Sequence, residues 1–422
     1  MPGDGPMHRG LLLFVAIIAT ILLVSGSTTN AHKPITSKYM YHQDVYPIFL
    51  AQCGGCHAPG AVAPMSLLSY GDAYPWAQSI KEELVNLTMP PWQPEDGFGR
   101  FKHGGSLTAQ QLDIVVEWAN GGTPEGVPVD HPVANVKPSW PLGEPTAIFE
   151  MPEIFTLTAD VHEATRYFVI PSGFERETLI RAVDFRPGAP AIVRSAILFV
   201  DTSNKAAVYD AADPNPGFGV EDVSEFDTEQ ILAAWLPGQE AIALDGAAYA
   251  VPADADLVLR VTYKKTWTYE GLAVEDRSAV ALYVATRDVP KVETMTLQSP
   301  SRLNTGNDQV VTFTTDLARD VDLLAILPNL ATDALAVQIE ALTRDGRRTP
   351  IVRLASPRPQ WRTRYWLEEP LTLARGTTLE VQAIFKSDQT DGNLPVRFTL
   401  DLVSTPPVNV AKIGQAPVER NP

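Results

Sequence analysis

The sequence predicts a multidomain protein, with a small all-α domain followed by two all-β domains that are jelly-roll-like antiparallel sandwiches. Up to about residue 138, apolar residues recur every three or four positions, which is the spacing of amphipathic helices. From about residue 140 onward, short β-branched and apolar runs alternate with turns rich in Gly, Pro, Asp and Asn. The length of 422 residues fits two or three domains of about 150 residues each.

An apolar run over residues 10–24 follows His8 and Arg9, and Thr29-Asn30-Ala31 then offers the small residues that a signal peptidase recognises. The run is shorter than the roughly 20 residues of a membrane-spanning helix. We therefore expect residues 1–31 to be a cleaved signal peptide rather than a retained N-terminal anchor. Under either interpretation the rest of the chain is exported to the periplasm, and a retained run would attach it to the membrane.

The most specific motif is Cys53-Gly54-Gly55-Cys56-His57, which contains the only two cysteines of the chain. Thiols separated by one helical turn are spaced for thioether bonds to the two vinyl groups of a haem, and the following histidine is placed as the proximal iron ligand. The motif therefore predicts one covalent haem c, attached through Cys53 and Cys56, with His57 bound to the iron.

Three predicted helices surround this motif. The first covers residues 42–51 and leads into the motif, and the second covers residues 73–87. The third begins at 108–111, where a threonine and a glutamine fit a capping box, and it ends at Gly121-Gly122. Three helices around one haem indicate a cytochrome c domain over residues 32–138.

Met89 is the expected sixth ligand of the iron. It lies in Met89-Pro90-Pro91-Trp92 after the second helix, and the prolines restrict the backbone of this segment. A stiff segment of this kind is suited to hold a thioether sulfur over a haem. Met65 and His103 are the alternative ligands, and an open or water-bound iron is a further alternative. The aromatic residues expected to pack on the haem, or else in the ordinary core, are Trp76, Trp92 and Tyr74.

The formal net charge of −17 argues against a nucleic-acid partner, because phosphates require a basic surface. A redox partner that docks electrostatically would be neutral or basic on its docking face. Self-repulsion that keeps an exported protein soluble explains the same charge.

The predicted strands form two groups separated by a break near Val289-Pro290. This break divides the β region into sandwiches over 139–288 and 289–404, with a mobile Pro-rich tail over 405–422. The strands of the first group are 167–170, 192–200, 257–263 and 279–284, and those of the second are 310–314, 323–327 and 379–385.

The haem segment resembles the bacterial cytochrome c module at 63–70, 75–77 and 89–92. The sandwiches resemble the two-domain core of type II copper, ascorbate-dependent monooxygenases of the peptidylglycine α-hydroxylating class. The landmarks of the second resemblance are 196–201, 210–218, 234–238, 275–278 and 361–365.

The resemblance implies two copper sites built from histidines and a methionine, yet the positions that match them carry other residues. The position of the family's His-His pair reads Arg194-Ser195. The position of its His-Tyr-His motif reads Thr262-Tyr263-Lys264, and that of its His-Met-His motif reads Asn329-Leu330-Ala331. The histidines of the chain are at 8, 32, 42, 57, 103, 131 and 162. Because such sites need imidazole nitrogens, we expect no copper and no catalytic residues, and we interpret the sandwich pair as a pseudoenzyme.

These observations favour an exported mono-haem cytochrome that transfers electrons, since His/Met ligation raises the potential of the iron. The sandwiches would then be a docking or assembly scaffold for redox partner proteins, or part of a membrane-bound respiratory or photosynthetic complex. The alternatives are an active copper monooxygenase fed by the haem and a purely structural subunit of a membrane complex.

Overall fold

The computed structural model describes residues 35–91, 94–102, 107–129, 140–219, 230–299, 310–385 and 396–404. The predicted signal segment, Trp92, His103 and the Pro-rich tail lie outside these residues. The described part of the chain is mostly β, with few helices, and its strands pair antiparallel in several sheets. The prediction of a mostly β protein with antiparallel sheets is thus confirmed. Among the described helices, none has the length and apolar character to cross a bilayer.

The helical unit begins with one π-helical turn, Tyr41–Val45, that continues into α1, Tyr46–Gln52. Helix α2 is Tyr70–Ala73, α3 is Ala77–Val85 and α4 is Ala109–Asn120. Their apolar faces meet in one core, whose buried members include Tyr41, Phe49, Leu84, Val115 and Trp118.

The predicted ends of α4 are confirmed by its capping contacts. The Gln111 N–H donates to Thr108 Oγ1 at 3.2 Å, while the Thr108 N–H donates to Gln111 Oε1 at 2.9 Å, which forms the capping box. The helix ends at Asn120, and Gly122 takes a left-handed φ of 87°. The second predicted helix is shorter than expected. Because Pro75 has no N–H to donate, the chain forms a 3₁₀ turn, Tyr74–Trp76, before α3.

The first sandwich contains two four-stranded sheets, of strand order β1-β10-β4-β7 and β3-β8-β5-β6. Strands β2 and β9 form a further two-stranded sheet. Their buried apolar side chains form one core. Helix α5, Lys205–Ala212, follows β5. The strands are β1 Ala147–Glu150, β2 Phe155–Leu157, β3 Glu163–Pro171, β4 Thr178–Arg186, β5 Val193–Asp201, β6 Gln230–Trp235, β7 Tyr249–Val251, β8 Asp256–Lys264, β9 Val274–Asp276 and β10 Ala279–Val284.

The second sandwich pairs a sheet of order β11-β18-β13-β16 with a sheet of order β12-β17-β14-β15 around its own core. The strands are β11 Glu293–Gln298, β12 Val310–Asp316, β13 Val321–Leu330, β14 Ala336–Leu342, β15 Arg348–Ala355, β16 Tyr365–Leu373, β17 Thr378–Ile384 and β18 Val396–Ser404. Each of the seven predicted apolar runs lies mainly or wholly within one strand of the first or the second sandwich.

The apolar run of β5 is continuous rather than alternating because both faces of this strand are covered. One face enters the core of the first sandwich through Leu198 and Val200. The other face, with Ile197 and Phe199, packs in a cluster with Ala206 of α5 and with Leu327 of the second sandwich. Strand β5 therefore contributes to the contact between the two sandwiches.

A buried polar network also joins the two sandwiches. Arg364 Nε lies 2.7 Å from Asp401 Oδ2, and the Tyr249 hydroxyl donates to the same oxygen at 2.9 Å. The two terminal nitrogens of Arg364 donate to the carbonyls of Leu232 and Ile231 at 2.9 and 2.8 Å. Arg364 and Asp401 belong to the second sandwich, while the other three residues belong to the first. This network therefore fixes how one sandwich sits on the other.

Candidate functional site

The cysteine motif lies in turns that continue directly from α1. The N–H groups of Cys53 and Gly54 donate to the carbonyl of Phe49 at 2.9 and 2.7 Å, and the N–H groups of Cys56 and His57 donate to the carbonyl of Cys53 at 3.1 and 2.8 Å. Both thiols are half-buried. Burial raises the pKa of Cys53 to about 12 and that of Cys56 to about 11, so both are neutral thiols at neutral pH.

The imidazole of His57 is oriented by one backbone group. Its Nδ1 lies 3.1 Å from the carbonyl oxygen of Met65. A carbonyl can only accept, so Nδ1 carries the proton and Nε2 is the nitrogen with a lone pair for a metal ion. Burial lowers the pKa of His57, which keeps the imidazole in the neutral form that binds metals.

The loop that supplies this carbonyl is tied back to the motif. The Ala63 N–H donates to the carbonyl of Cys56 at 3.1 Å, and the Leu67 N–H donates to the carbonyl of His57 at 2.8 Å. The buried hydroxyl of Tyr41 donates to the carbonyl of Leu67 at 2.8 Å. These bonds hold residues 58–67 against the helical core and keep the Met65 carbonyl at the histidine.

Both candidate methionine ligands pack on the core of the helical unit. Met89, Met65 and Cys53 are partly buried against it, and the Met89 N–H donates to the carbonyl of Glu83 at 3.3 Å. The structure therefore brings both methionines to the core that also holds the motif. The side chain of Trp76 is 38% exposed, and Tyr74 stacks on Tyr70 with ring centroids 5.0 Å apart.

The chemistry of these side chains fits a haem c. Cys53 and Cys56 supply two thiols one turn apart, His57 supplies an oriented Nε2, and Met89 or Met65 supplies a thioether sulfur. The residues that could hold the cofactor thus all lie in the helical unit.

The motif also contacts the first sandwich through the loop after β6. The Cys56 thiol lies 3.2 Å from the carbonyl oxygen of the buried Pro237. A Cβ built on Gly55 would overlap the Cα of Gly238, which itself has a left-handed φ of 82°. Glycine at both positions therefore permits two backbones to touch. Sequence reasoning used residues 234–238 only as a landmark and missed this contact.

Arg194 makes a second contact between the first sandwich and the motif loop. Its guanidinium donates to the carbonyl of Val62 and, through Nε, to the carbonyl of Lys264 at 3.1 Å. The position that the copper-enzyme resemblance assigns to a histidine thus holds an arginine that binds the loop 58–67 beside the cysteine motif.

Three other residues in the segments matched to the copper sites make polar or core contacts within the protein. Thr262 Oγ1 lies 3.2 Å from Thr165 Oγ1, and Lys264 pairs with Glu163 at 2.8 Å. Leu330 lies in the core of the second sandwich. Within the described ranges, no group of three or more His, Cys, Asp or Glu side chains could hold a metal ion.

A cleft of about 490 Å³ lies where the two sandwiches and the segment 94–102 meet. Residues 94–102, which lie on the second sandwich, contribute Pro94 and Phe101 to its walls, the first sandwich contributes Gln239 and Glu240, and the second sandwich contributes Arg364 and Trp366. Gln239 Nε2 donates to Thr363 Oγ1 at 2.6 Å. The two sandwiches are therefore in contact around this cleft.

Comparison with known proteins does not assign the chain to a family. No protein-family model and no curated protein matches it. Among solved structures, PNGF-II is similar at 10% identity with a TM-score of 0.24, over 57% of this chain and 59% of its own. A Paenibacillus xanthan lyase has 12% identity and a TM-score of 0.17, and the match covers 68% of this chain and 28% of the lyase. The infectious bursal disease virus VP2 subviral particle has 12% identity and a TM-score of 0.17, and the match covers 62% of this chain and 73% of the viral chain. The chain spans under two thirds of the length of the first two proteins, and similarities this low carry no information about function.

Proposed function

We propose that this protein is an exported mono-haem c-type cytochrome that transfers electrons. The observation that supports this most directly is the geometry of the motif. Two neutral thiols lie one turn apart at the end of a helix, and the adjacent His57 has its Nδ1 bound to the Met65 carbonyl at 3.1 Å. The same arrangement would orient Nε2 toward a metal ion and keep the imidazole neutral.

In this proposal residues 32–138 are a cytochrome c domain, and each residue of the motif has one role. Cys53 and Cys56 hold the haem through thioether bonds, His57 is the proximal ligand, and Met89 is the distal ligand. When bound, the haem supplies a one-electron redox couple. The chain supplies the orientation of the histidine, through the loop 58–67, and a largely apolar core that excludes water.

The sandwiches are proposed to be a copper-free scaffold related to the ascorbate-dependent monooxygenases. Their contacts support this role, because Gly238 and Arg194 of the first sandwich touch the haem motif or its loop. The cationic Arg194 would also oppose a copper ion at the first matched position. We propose that their outer surfaces dock redox partner proteins, either free or within a respiratory or photosynthetic membrane complex.

The proposal is tested by producing the exported protein in a bacterium that attaches haem c. One haem per chain should remain after extraction with acidified organic solvent, with iron that cycles between two oxidation states. Purification of the native protein should recover a redox partner. Protein obtained without covalent haem under these conditions would contradict the proposal.

A further inference from the structure

The chain segment that follows Met89 leaves the helical unit and lies on the second sandwich. We call residues 94–102 the strap. The Glu95 N–H donates to the carbonyl of Arg353 in β15 at 2.8 Å, and the Lys102 N–H donates to the carbonyl of Trp366 in β16 at 2.9 Å. In return, the Glu368 N–H donates to the carbonyl of Arg100 at 2.8 Å. The strap is therefore joined at both of its ends to edge strands of the second sandwich.

Side chains reinforce this attachment. Phe101 packs against the core of the second sandwich, and its ring meets that of Tyr365 edge-on, with centroids 5.8 Å apart. The guanidinium of Arg353 lies 5.5 Å from the ring centroid of Phe98, and its Nε lies 3.2 Å from Glu95 Oε2. The pair Arg353–Glu95 is partly exposed, so the apolar anchor Phe101 and the backbone bonds provide most of the attachment.

Gly99 shows that the approach of the two backbones is close. Its φ is 73°, and a Cβ at this position would overlap the carbonyl oxygen of Ile351 in β15. Gly97, two residues earlier, has a φ of 88°, but a Cβ there would meet nothing within 4 Å. The two glycines have the same backbone requirement, and only Gly99 faces the second sandwich.

Met89 lies between the helical core and this attachment. Its side chain packs on the helical core, and its N–H donates to Glu83 at the end of α3. Two residues later, Pro91 lines a cavity together with Leu354 and Tyr365 of the second sandwich. The segment carrying Met89 is thus fixed at one end by the helical unit and at the other by the second sandwich.

We propose that the second sandwich positions Met89 through the strap, so that this sandwich determines the sixth ligand of the iron. The inference rests on the proposed function, because it assigns the strap a role toward the haem. Gly99 and Phe101 are positioning residues in this proposal, and Met89 is the residue that would touch the iron. Detachment of the strap would free the segment that carries Met89. Water or another side chain would then take the place of Met89 as the sixth ligand.

The test compares Gly99→Ala with Gly97→Ala in the full-length protein. Both variants strain a left-handed backbone position, and only Gly99→Ala also pushes the strap away from Ile351. We expect hydrogen exchange in peptides that contain Lys102 and Glu368 to become about tenfold faster or more in Gly99→Ala. The methionine-to-iron charge-transfer band of the oxidised protein should be lost in the same variant. Gly97→Ala should keep the band and the slow exchange.

A second pair of variants covers the case in which Gly99→Ala does not fold. Phe101→Ala removes the apolar anchor of the strap, and Phe313→Ala removes a partly buried ring from the same core at β12, away from the strap. We expect Phe101→Ala to speed exchange in the strap and to lose the band, whereas Phe313→Ala should do neither.

The outcomes separate the two proposals. A strap that opens in Gly99→Ala or Phe101→Ala while the band remains would overturn the positioning role and leave the cytochrome assignment intact. Unchanged exchange in both variants would also overturn it, because the strap would then not depend on these contacts. Wild-type protein that has no covalent haem would refute the proposed function itself, and the inference with it.

Discussion

The guanidinium of Arg194 donates a hydrogen bond to the backbone carbonyl of Val62, 132 residues earlier in the chain. Arg194 lies in β5 of the first sandwich, and Val62 lies in the loop whose Met65 carbonyl holds the His57 imidazole. An arginine at the position that the copper-enzyme resemblance assigns to a histidine therefore links the first sandwich to the loop of the cysteine motif. The same position thus has a binding role that needs no metal ion.

Covalent attachment of haem should depend on Cys53 and Cys56. The double variant Cys53→Ala with Cys56→Ala cannot form thioether bonds, so any haem it binds should extract completely into acidified organic solvent. Wild-type protein should retain one haem per chain. Covalent retention in the double variant, or two haems in a monomer, would be incompatible with the assignment.

Met89→Ala should abolish the methionine-to-iron charge-transfer band and lower the midpoint potential. A thioether ligand stabilises the reduced iron, so its loss favours the oxidised state. Met65→Ala is the matched control, because Met65 is also partly buried against the helical core and acts on His57 only through its backbone. A band that disappears in Met65→Ala and persists in Met89→Ala would exchange the roles of the two residues.

The purified protein should contain iron and negligible copper after dialysis. Asparagine, serine and threonine oxygens are poor replacements for imidazole at a copper site, and Arg194 places a positive charge beside the first matched position. Elemental analysis measures both metals in one sample. Stoichiometric copper, together with ascorbate-dependent oxygen consumption that a chelator stops, would identify an active monooxygenase instead.

Gly55→Ala should weaken the contact between the motif and the first sandwich. The added Cβ overlaps the Cα of Gly238, and overpacking of this kind costs about 1–3 kcal/mol. Gly71→Ala is the control, because a Cβ at Gly71 meets nothing within 4 Å and alanine is favoured in a helix. Urea unfolding of both variants at equal haem content measures the difference. Equal stabilities would show that the backbone contact is unimportant.

Asp401→Ala should strongly destabilise the sandwich pair. Asp401 and Arg364 are both buried, and removing one partner leaves an uncompensated buried charge, which costs about 3–5 kcal/mol. Asp316→Ala is the surface control, since Asp316 accepts an exposed hydrogen bond from Thr378 at 2.6 Å, and its effect should stay within about 0.5 kcal/mol. The free energy of unfolding distinguishes the two. A similarly small loss of unfolding free energy in Asp401→Ala and Asp316→Ala would mean that the network does not hold the sandwiches together.

Local patterns in the sequence were sufficient for seven of the strands, for both ends of α4 and for the choice of candidate haem ligands. They did not predict α5 or the 3₁₀ turn that shortens the second helix. The capping box at Thr108 and Gln111, the antiparallel strands and the cysteine motif each depend on residues a few positions apart, where backbone geometry limits the outcome. The absence of histidine after His162 is likewise visible in the sequence alone.

Only the tertiary structure decided how these parts contact one another. The bond between the Cys56 thiol and the Pro237 carbonyl spans 181 residues, and the contacts of Arg194 with Val62 and of the strap with the second sandwich are similarly distant in sequence. Several of these contacts use backbone groups, which every residue carries, so composition and periodicity contain no trace of them. Glycine at 55 and 99 is needed where two backbones touch, but the identity of the partner backbone follows only from the packing of the whole chain.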